Sequence, residues 1–387
     1  MTQKTLNRII SFIAVTVVIL LLSLLYLVLI MSIGLTPPRH YLMTKVDSNG
    51  NTLWTQKYGW GGWHEEINGL AIDSKGDIIA VGLENPDGMS NFSVMKCNPN
   101  GEILWSENYS NGIARSVVID SEDNIIVVGQ LDMGGCANGF LTIKYTGNGN
   151  ITWVKTYMSG HYAWTVGVDT DSKDNIIVAG EVEGNSCLIK YDSNGTVLWE
   201  KKVADETITP HQEVRDVTVD FNDDIILVGK EWFVTTEDNS VLEGDKCIIT
   251  KYYPNGTQIW SKMYKKGVED VWGNAVTTDS ENNIIVAGGS FSSFFPVIKY
   301  GPEGNILWVR NYAAPCNVHG MGIAVDSQDD VIVVASGGMP DDKTSVKKYN
   351  SNGNVLWSKE YPSKVVLNDI CVASDNHIIL GGTYWAY

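Results

Sequence analysis

Seven times along its 387 residues the chain carries one short unit: a strand, a turn rich in Asp, Asn and Gly, and a second strand bearing a tryptophan. The stretch Lys190-Tyr191-Asp192-Ser193-Asn194-Gly195-Thr196-Val197-Leu198-Trp199 shows it whole. An Asn-Gly pair between β-prone runs is the strongest short-range hairpin signal a sequence offers. The other copies place their tryptophan at Trp54, Trp105, Trp153, Trp260, Trp308 and Trp357. Self-similarity of this kind overrides the domain count that length alone would suggest.

Between successive tryptophan hairpins lies a second hairpin, an apolar strand, an Asp-Ser turn and another apolar strand ending in Gly. Val117-Val118-Ile119-Asp120-Ser121-Glu122-Asp123-Asn124-Ile125-Ile126-Val127-Val128-Gly129 is one copy. Its turns fall at Asp73, Asp120, Asp171, Asp220, Asp279, Asp326 and, in degenerate form, Ala373. Short β-branched runs punctuated by Asp, Asn and Gly are strands, and nothing beyond Leu35 has a helical period. Four strands per repeat, at tryptophan spacings of 46 to 61 residues, predict propeller blades of WD40-like architecture. We label the Asp-hairpin strands a and b and the Trp-hairpin strands c and d. The repeat opens on a lone c–d pair (Tyr41 to Tyr58) and closes on a lone a–b pair (Val366 to Tyr384), with six complete blades between them. These halves complete each other, which leaves no bare sheet edge at the seam. The expected fold is all-β, a seven-bladed β-propeller over 41–387.

The units Gly-Ile-Ala-Val-Asp-Ser (322–327), Asp-Asn-Ile-Ile-Val-Ala-Gly (174–180) and Ile-Lys-Tyr-x-x-x-Gly-Asn-Ile-Leu-Trp (298–308) resemble the SBBP repeat, named for its seven-bladed β-propeller. The resemblance covers essentially all of 41–387. The spacing from Gly195 to Trp199 also resembles the tryptophan-docking motif of quinoprotein (PQQ-like) propellers, in which an outer-strand Trp packs on the neighbouring blade. The resemblance implies a structural role for Trp54, Trp105, Trp153, Trp199, Trp260, Trp308 and Trp357 and a surface-protein habit, but no activity, since a fold does not carry a function. Quinoprotein dehydrogenases have a vicinal Cys pair and usually an extra blade. This chain has neither.

Ahead of the repeat, Ile9 to Leu35 is an uncharged, almost wholly apolar run. As a helix it would extend roughly 40 Å, more than the ~30 Å hydrocarbon core requires. It is longer than a signal-peptide core, and no small-residue cleavage pattern precedes Pro37-Pro38. The sequence therefore predicts a cytoplasmic N-terminus (1–8), an uncleaved transmembrane anchor helix (9–35), a linker (36–40) and an extracytoplasmic propeller, a single-pass cell-membrane protein. Lys4 and Arg8 set that orientation. The net charge of −17 repels phosphate backbones and argues against a nucleic-acid partner. The six cysteines form no CxxC pair and read mostly as small buried hydrophobes.

No catalytic constellation stands out, and the enzyme motifs Gly-x-Ser-x-Gly, Walker A and HExxH are absent. The carboxylates of the Asp turns offer oxygens to calcium, but Asx hydrogen bonding to their own backbone accounts for the same residues. No cofactor and no metal site are expected. Histidines His64, His161, His211 and His319 each precede a strand a on different blades, too dispersed to share a zinc ion. Five residues before each Asp-turn position stand Asn68, Arg115, Val166, Arg215, Asn274, Met321 and Asn368, a mostly polar ring predicted to line the channel mouth. The candidate ligand residues are Asn68, Arg115, Arg215, Asn274 and Asn368 with His64 and His211. Aromatics outside the repeated set, Trp232, Phe233, Phe294 and Phe295 above all, are expected in partner-contact loops on the same face. Two of them lie in the insertions of the longest repeat, Val203 to Glu213 and Lys230 to Asp245.

The sequence thus favours a non-catalytic module that binds a protein or carbohydrate close to the membrane. The alternatives are a structural component of a cell-envelope or surface assembly and, behind both, a quinoprotein-like enzyme.

Overall fold

The computed structural model describes residues 38–386 apart from 60–63, 86–89, 110, 133–137, 158–162, 183–184, 203–210, 233–244, 266–269, 292–293, 314–317 and 338–343. The expected anchor at 9–35, and Trp60, Trp63, His161, Tyr162, Phe233, Cys136 and Cys316, lie outside the described residues. Among the described residues there is no helix, and none long and apolar enough to cross a membrane.

The described chain forms seven four-stranded antiparallel sheets. Blade 1 runs a (Glu66–Ile72), b (Ile78–Glu84), c (Asn91–Cys97) and d (Ile103–Tyr109). Blades 2 to 6 repeat this order through residues 112–157, 163–202, 211–264, 271–313 and 318–361. Blade 7 is composite. Its c strand (Arg39–Val46) pairs with the C-terminal b strand (Ile378–Trp385) over eight residues, and d (Thr52–Tyr58) and a (Val365–Val372) flank them. Arg39–Trp385 is one compact unit.

The sequence pattern follows from this stacking. Strand b lies between two neighbouring blades, so Ile78–Glu84 and Ile176–Val182 are buried at every position and are apolar but for Glu84 and Glu181. Strand d is the outer edge and is exposed along most of its length. The core lies between blades and not within them. Seven clusters of buried side chains each join two adjacent blades, and Tyr41, Met43, Ile67 and Met95 fill the joint of blades 7 and 1.

Each repeated Trp is half-buried against the next blade, and its indole Nε1 donates to a carbonyl in that blade's c–d turn. The acceptors are Pro99, Gly147, Ser193, Pro254, Pro302, Ser351 and, closing the ring from Trp357, Ser48, at 2.9–3.3 Å. The turns differ from the two-residue Asn-Gly type. Gly195 N–H donates to Asp192 O (2.9 Å) and Asp192 N–H to Thr196 O (2.8 Å), with φ of +79° at Gly195 and no positive φ at Asn194. This is a type I turn followed by a left-handed residue. Glycine is required there because a Cβ would stand 3.0 Å from the Trp153 ring.

A second device escaped the sequence reading. Lys96, Lys144, Lys190, Lys251, Lys299 and Lys348, one per c strand, form ion pairs of 2.6–2.7 Å with Asp73, Asp120, Asp171, Asp220, Asp279 and Asp326. The other oxygen of Asp73 accepts the backbone N–H groups of Lys75 and Asp77, and the equivalent aspartates do likewise. In blade 7 the aspartate is replaced by Ala373, and Lys45 Nζ reaches only the Pro99 carbonyl (3.4 Å). On the same face, Ser74, Ser121, Ser172 and Ser280 donate both N–H and hydroxyl to Asp123, Asp174, Asp223 and Asp329 of the following blade. Those acceptors hold left-handed φ of 58–64°, a conformation that costs an L-residue about 1 kcal/mol. Six joints carry such a latch in some form. The joint of blades 7 and 1 places Gly76 where the acceptor would be.

Candidate functional site

In every blade the pairing of strand a with strand b slips by one residue. The extra residue is Asn68, Arg115, Val166, Arg215, Asn274, Met321 or Asn368. A β-bulge leaves its extra residue out of the ladder and re-aims its side chain. Here all seven line one cavity of about 500 Å³ at the mouth of the central channel. The bulge also explains the Gly near the end of strand b, which the structure places two or three residues inside it. A Cβ on Gly82 or Gly229 would sit 1.9 or 1.8 Å from the carbonyl oxygen of Glu66 or Glu213.

The ring is tied from blade to blade. Asn368 Nδ2 donates to Ile67 O (2.8 Å) and Glu66 Oε1 (2.9 Å). Asn68 Nδ2 donates to Ala114 O (2.8 Å), and Arg215 Nη1 to Asn274 Oδ1 (3.0 Å). Arg215 is further held by Glu213 (3.0 Å), which also takes Lys230 (3.2 Å). Glu66 is pushed up by burial, but His64, the Arg39 charge and Asn368 bring its carboxyl below the usual range. His64 stands 3.1 Å from Glu66 and 2.9 Å from Arg39, so it acts on the cavity wall through Glu66.

Arg115 differs from every other charge at the mouth. Its guanidinium has no hydrogen-bond or carboxylate partner among the described residues and feels Glu66 only at longer range. It is open to the channel yet walled in by protein, and that desolvation lowers its pKa. Between Arg115 and Arg215 the wall is apolar, formed by Trp164 and Val166 of blade 3, with Trp164 37% exposed. Below the ring, a deeper pocket of about 130 Å³ reaches Asp216 and Asp369. Desolvation pushes both carboxyls up to about 7, although Asp216 accepts the N–H of Val276 (2.8 Å) and Asp369 that of Leu70 (2.7 Å).

Other candidates are placed differently. Phe294 and Phe295 are not in a loop but begin strand c of blade 5 (Phe294–Tyr300). Phe295 is fully buried and stacks on Tyr312 with centroids 4.7 Å apart. It faces the joint of blades 5 and 6, so it is core. Backbone pairing places Trp232 at the end of strand b and His211 at the start of strand a, opposite each other in blade 4. Sequence reasoning placed Trp164 among the aromatics of this face but not in the cavity, and missed Glu66 and Glu213 as cavity residues. Their position two residues before the bulge in strand a was the signal that could have found them.

The chain matches no family model. It is 23% identical, over 342 residues, to an uncharacterized WD repeat-containing protein of Acanthamoeba polyphaga mimivirus, with 69% of this chain and 24% of the relative covered. The chain thus spans about a quarter of that relative's length. Among solved structures it resembles a protein from Lactobacillus plantarum (12% identity, TM-score 0.57, covering 89% of this chain and 99% of that one). It also resembles the periplasmic gluconolactonase of Pseudomonas aeruginosa (12%, 0.57, 84% and 97%) and the WD40 propeller of Doa1 (13%, 0.51, 82% and 90%). At these identities the likeness shows the propeller fold alone.

Proposed function

We propose that this chain is a membrane-anchored, extracytoplasmic propeller that binds a protein or carbohydrate at the mouth of its channel without transforming it. The observation that carries the reading is the cavity of about 500 Å³ to which all seven blades contribute a bulged side chain, one of them an arginine with no partner among the described residues. That volume lies within the ~300–1,000 Å³ range of small-ligand sites. The 27-residue apolar run at 9–35 supports the anchor, and the resemblance to SBBP repeats supports a surface location. The expected linker (36–40) runs into the strand that begins at Arg39, beside the mouth with Glu66 and Asn368, which supports a ligand met close to the membrane.

A second reading, a lateral assembly component, is favoured by one observation. The residue before the docking Trp in five d strands, Leu53, Leu104, Leu198, Leu307 and Leu356, is 49–51% exposed, and exposed apolar rows mark interaction surfaces.

The test is to plug the mouth. Full-length protein in detergent, applied to glycan and peptide arrays, should lose its hits when Val166→Trp or Met321→Trp fills the cavity. Hits that survive both plugs, or disappear only with Leu104→Glu and Leu307→Glu on the perimeter, would move the function to the outer strands. Impermeant-maleimide labelling of Ser193→Cys in intact cells checks the orientation, since a cytoplasmic propeller would stay unlabelled.

A further inference from the structure

We infer that the channel mouth recognises an acidic saccharide, a uronic-acid sugar whose carboxylate pairs with Arg115 and whose ring lies against Trp164. The inference rests on the reading of the mouth as a binding site and names its ligand class.

Three features of the wall converge on this class. The first is charge. The other cations around the mouth are paired, Arg215 with Glu213, Lys230 with Glu213 and Asp245, and Arg39 and His64 with Glu66. Arg115 is left over, a guanidinium whose donor face meets no hydrogen-bond or ion-pair partner among the described residues, in a partly desolvated site. A guanidinium in that state prefers a carboxylate, which it can grip through two parallel hydrogen bonds. The chain is strongly acidic overall at −17, whereas the cavity lining sets Arg115 and Arg215 against Glu66 and Glu213, so an anion reaching Arg115 meets a wall without the general negative excess. Beneath the ring, Asp216 and Asp369 are raised toward neutrality by desolvation, which limits the repulsion an anion would meet from below.

The second feature is the pattern of free hydrogen-bonding atoms. Asn68 and Asn368 spend their Nδ2 groups on neighbouring blades, which leaves their Oδ1 atoms as acceptors. Asn274 has the reverse arrangement, because its Oδ1 is taken by Arg215 and its Nδ2 remains to donate. A ring that presents acceptors on one arc and donors on another suits hydroxyl groups, each of which both donates and accepts. A simple carboxylate without hydroxyls would use Arg115 but leave these carboxamide positions without complementary partners.

The third feature is Trp164. It is a large aromatic left 37% exposed at the cavity edge, on the blade between Arg115 and Arg215. An indole face beside polar groups is the surface against which the apolar face of a pyranose ring packs. The cavity of about 500 Å³ has room for a sugar of one or two residues.

The experiment uses full-length protein in detergent and isothermal titration with α-1,4-linked digalacturonate and the matching neutral digalactoside. Digalacturonate should bind at least about tenfold more tightly, the scale of a charge-assisted pair, and its affinity should fall as salt rises. Arg115→Gln should erase that preference while leaving the neutral sugar's affinity within about twofold, and Trp164→Ala should weaken both. Equal affinities for the two sugars, each lost on Trp164→Ala, would overturn the acidic specificity and leave the mouth a binding site. No heat from either sugar would overturn the saccharide class, and the plug variants then decide the mouth independently through the array hits they keep or lose. Thermal melts of each variant confirm that the fold is intact.

Discussion

Lys190→Met removes the cation from a pair whose side chains are 4% and 3% exposed and 2.7 Å apart. Breaking a buried pair by deleting one partner typically costs about 3–5 kcal/mol, because the remaining charge is stranded. Here Asp171 keeps the N–H groups of Lys173 and Asn175 on one oxygen and Asn175 Nδ2 on the other, so the expected loss is near the lower bound, about 3 kcal/mol. The Pro254 carbonyl, also bonded by Lys190, retains the Trp199 indole. The chain supplies its own control. Lys45 occupies the equivalent position in blade 7, where Ala373 stands in place of the aspartate, so Lys45→Met should cost under about 1 kcal/mol. The assay is urea unfolding of the full chain in detergent, followed by tryptophan fluorescence. A pH series sharpens it. Burial pushes the Asp171 carboxyl up, but Lys190 and Asn175 together bring it below its ordinary 3.8. Its stabilisation is therefore complete above that value and lost as pH falls through the lower folded value. The gap between native and Lys190→Met proteins should shrink in acid. Equal losses for the two lysine variants, or a gap that ignores pH, would refute the claim that these pairs hold the blades.

Other expectations follow from the same geometry. Trp357→Ala removes a half-buried indole and the 2.9 Å bond to Ser48 that joins blade 6 to the composite blade, and should cost about 2–3 kcal/mol in the same urea assay. Deleting residues 365–387 strips two strands from blade 7 and bares the edges of the Arg39–Val46 strand and of blade 6's neighbour face; light scattering should show aggregation. Asp216 and Asp369, raised from 3.8 to about 7, bind protons more readily folded than unfolded. Their contribution is complete below about pH 4 and lost as pH rises through 7. Asp369→Asn should accordingly gain in stability relative to the native protein between pH 5 and 8.5.

What the sequence disclosed was whatever repeats in register. Blade number, composite closure and the ring five residues before each Asp turn all follow from periodicity, because a strand's position in the blade fixes its exposure. The docking of each Trp came from the resemblance to the tryptophan-docking motif of quinoprotein propellers, and periodicity supplied only its seven positions. What stayed hidden depends on contacts between distant residues. The lysine that precedes Tyr145, Tyr191, Tyr300 and Tyr349 in otherwise apolar strands was the visible sign of the buried pairs, but its aspartate lies about 20 residues earlier, across strand b. The bulges are invisible in a sequence that shows only alternation, although the Gly near the end of strand b marks the place where the backbones approach. Phe295 misled because it borders a turn-like Ser-rich segment, while register alone decides that it faces blade 6.

The central claim is that the bulge ring is where this protein meets its ligand. Hydrogen–deuterium exchange on the full chain in nanodiscs, with and without saturating digalacturonate, tests it most directly. The account predicts slowed exchange in the bulged a strands, above all Gly112–Ile119, Ala163–Thr170 and His211–Val219, and none in the c–d turns around Gly50, Gly149 and Gly195. Protection confined to those turns or to the outer d strands would contradict it.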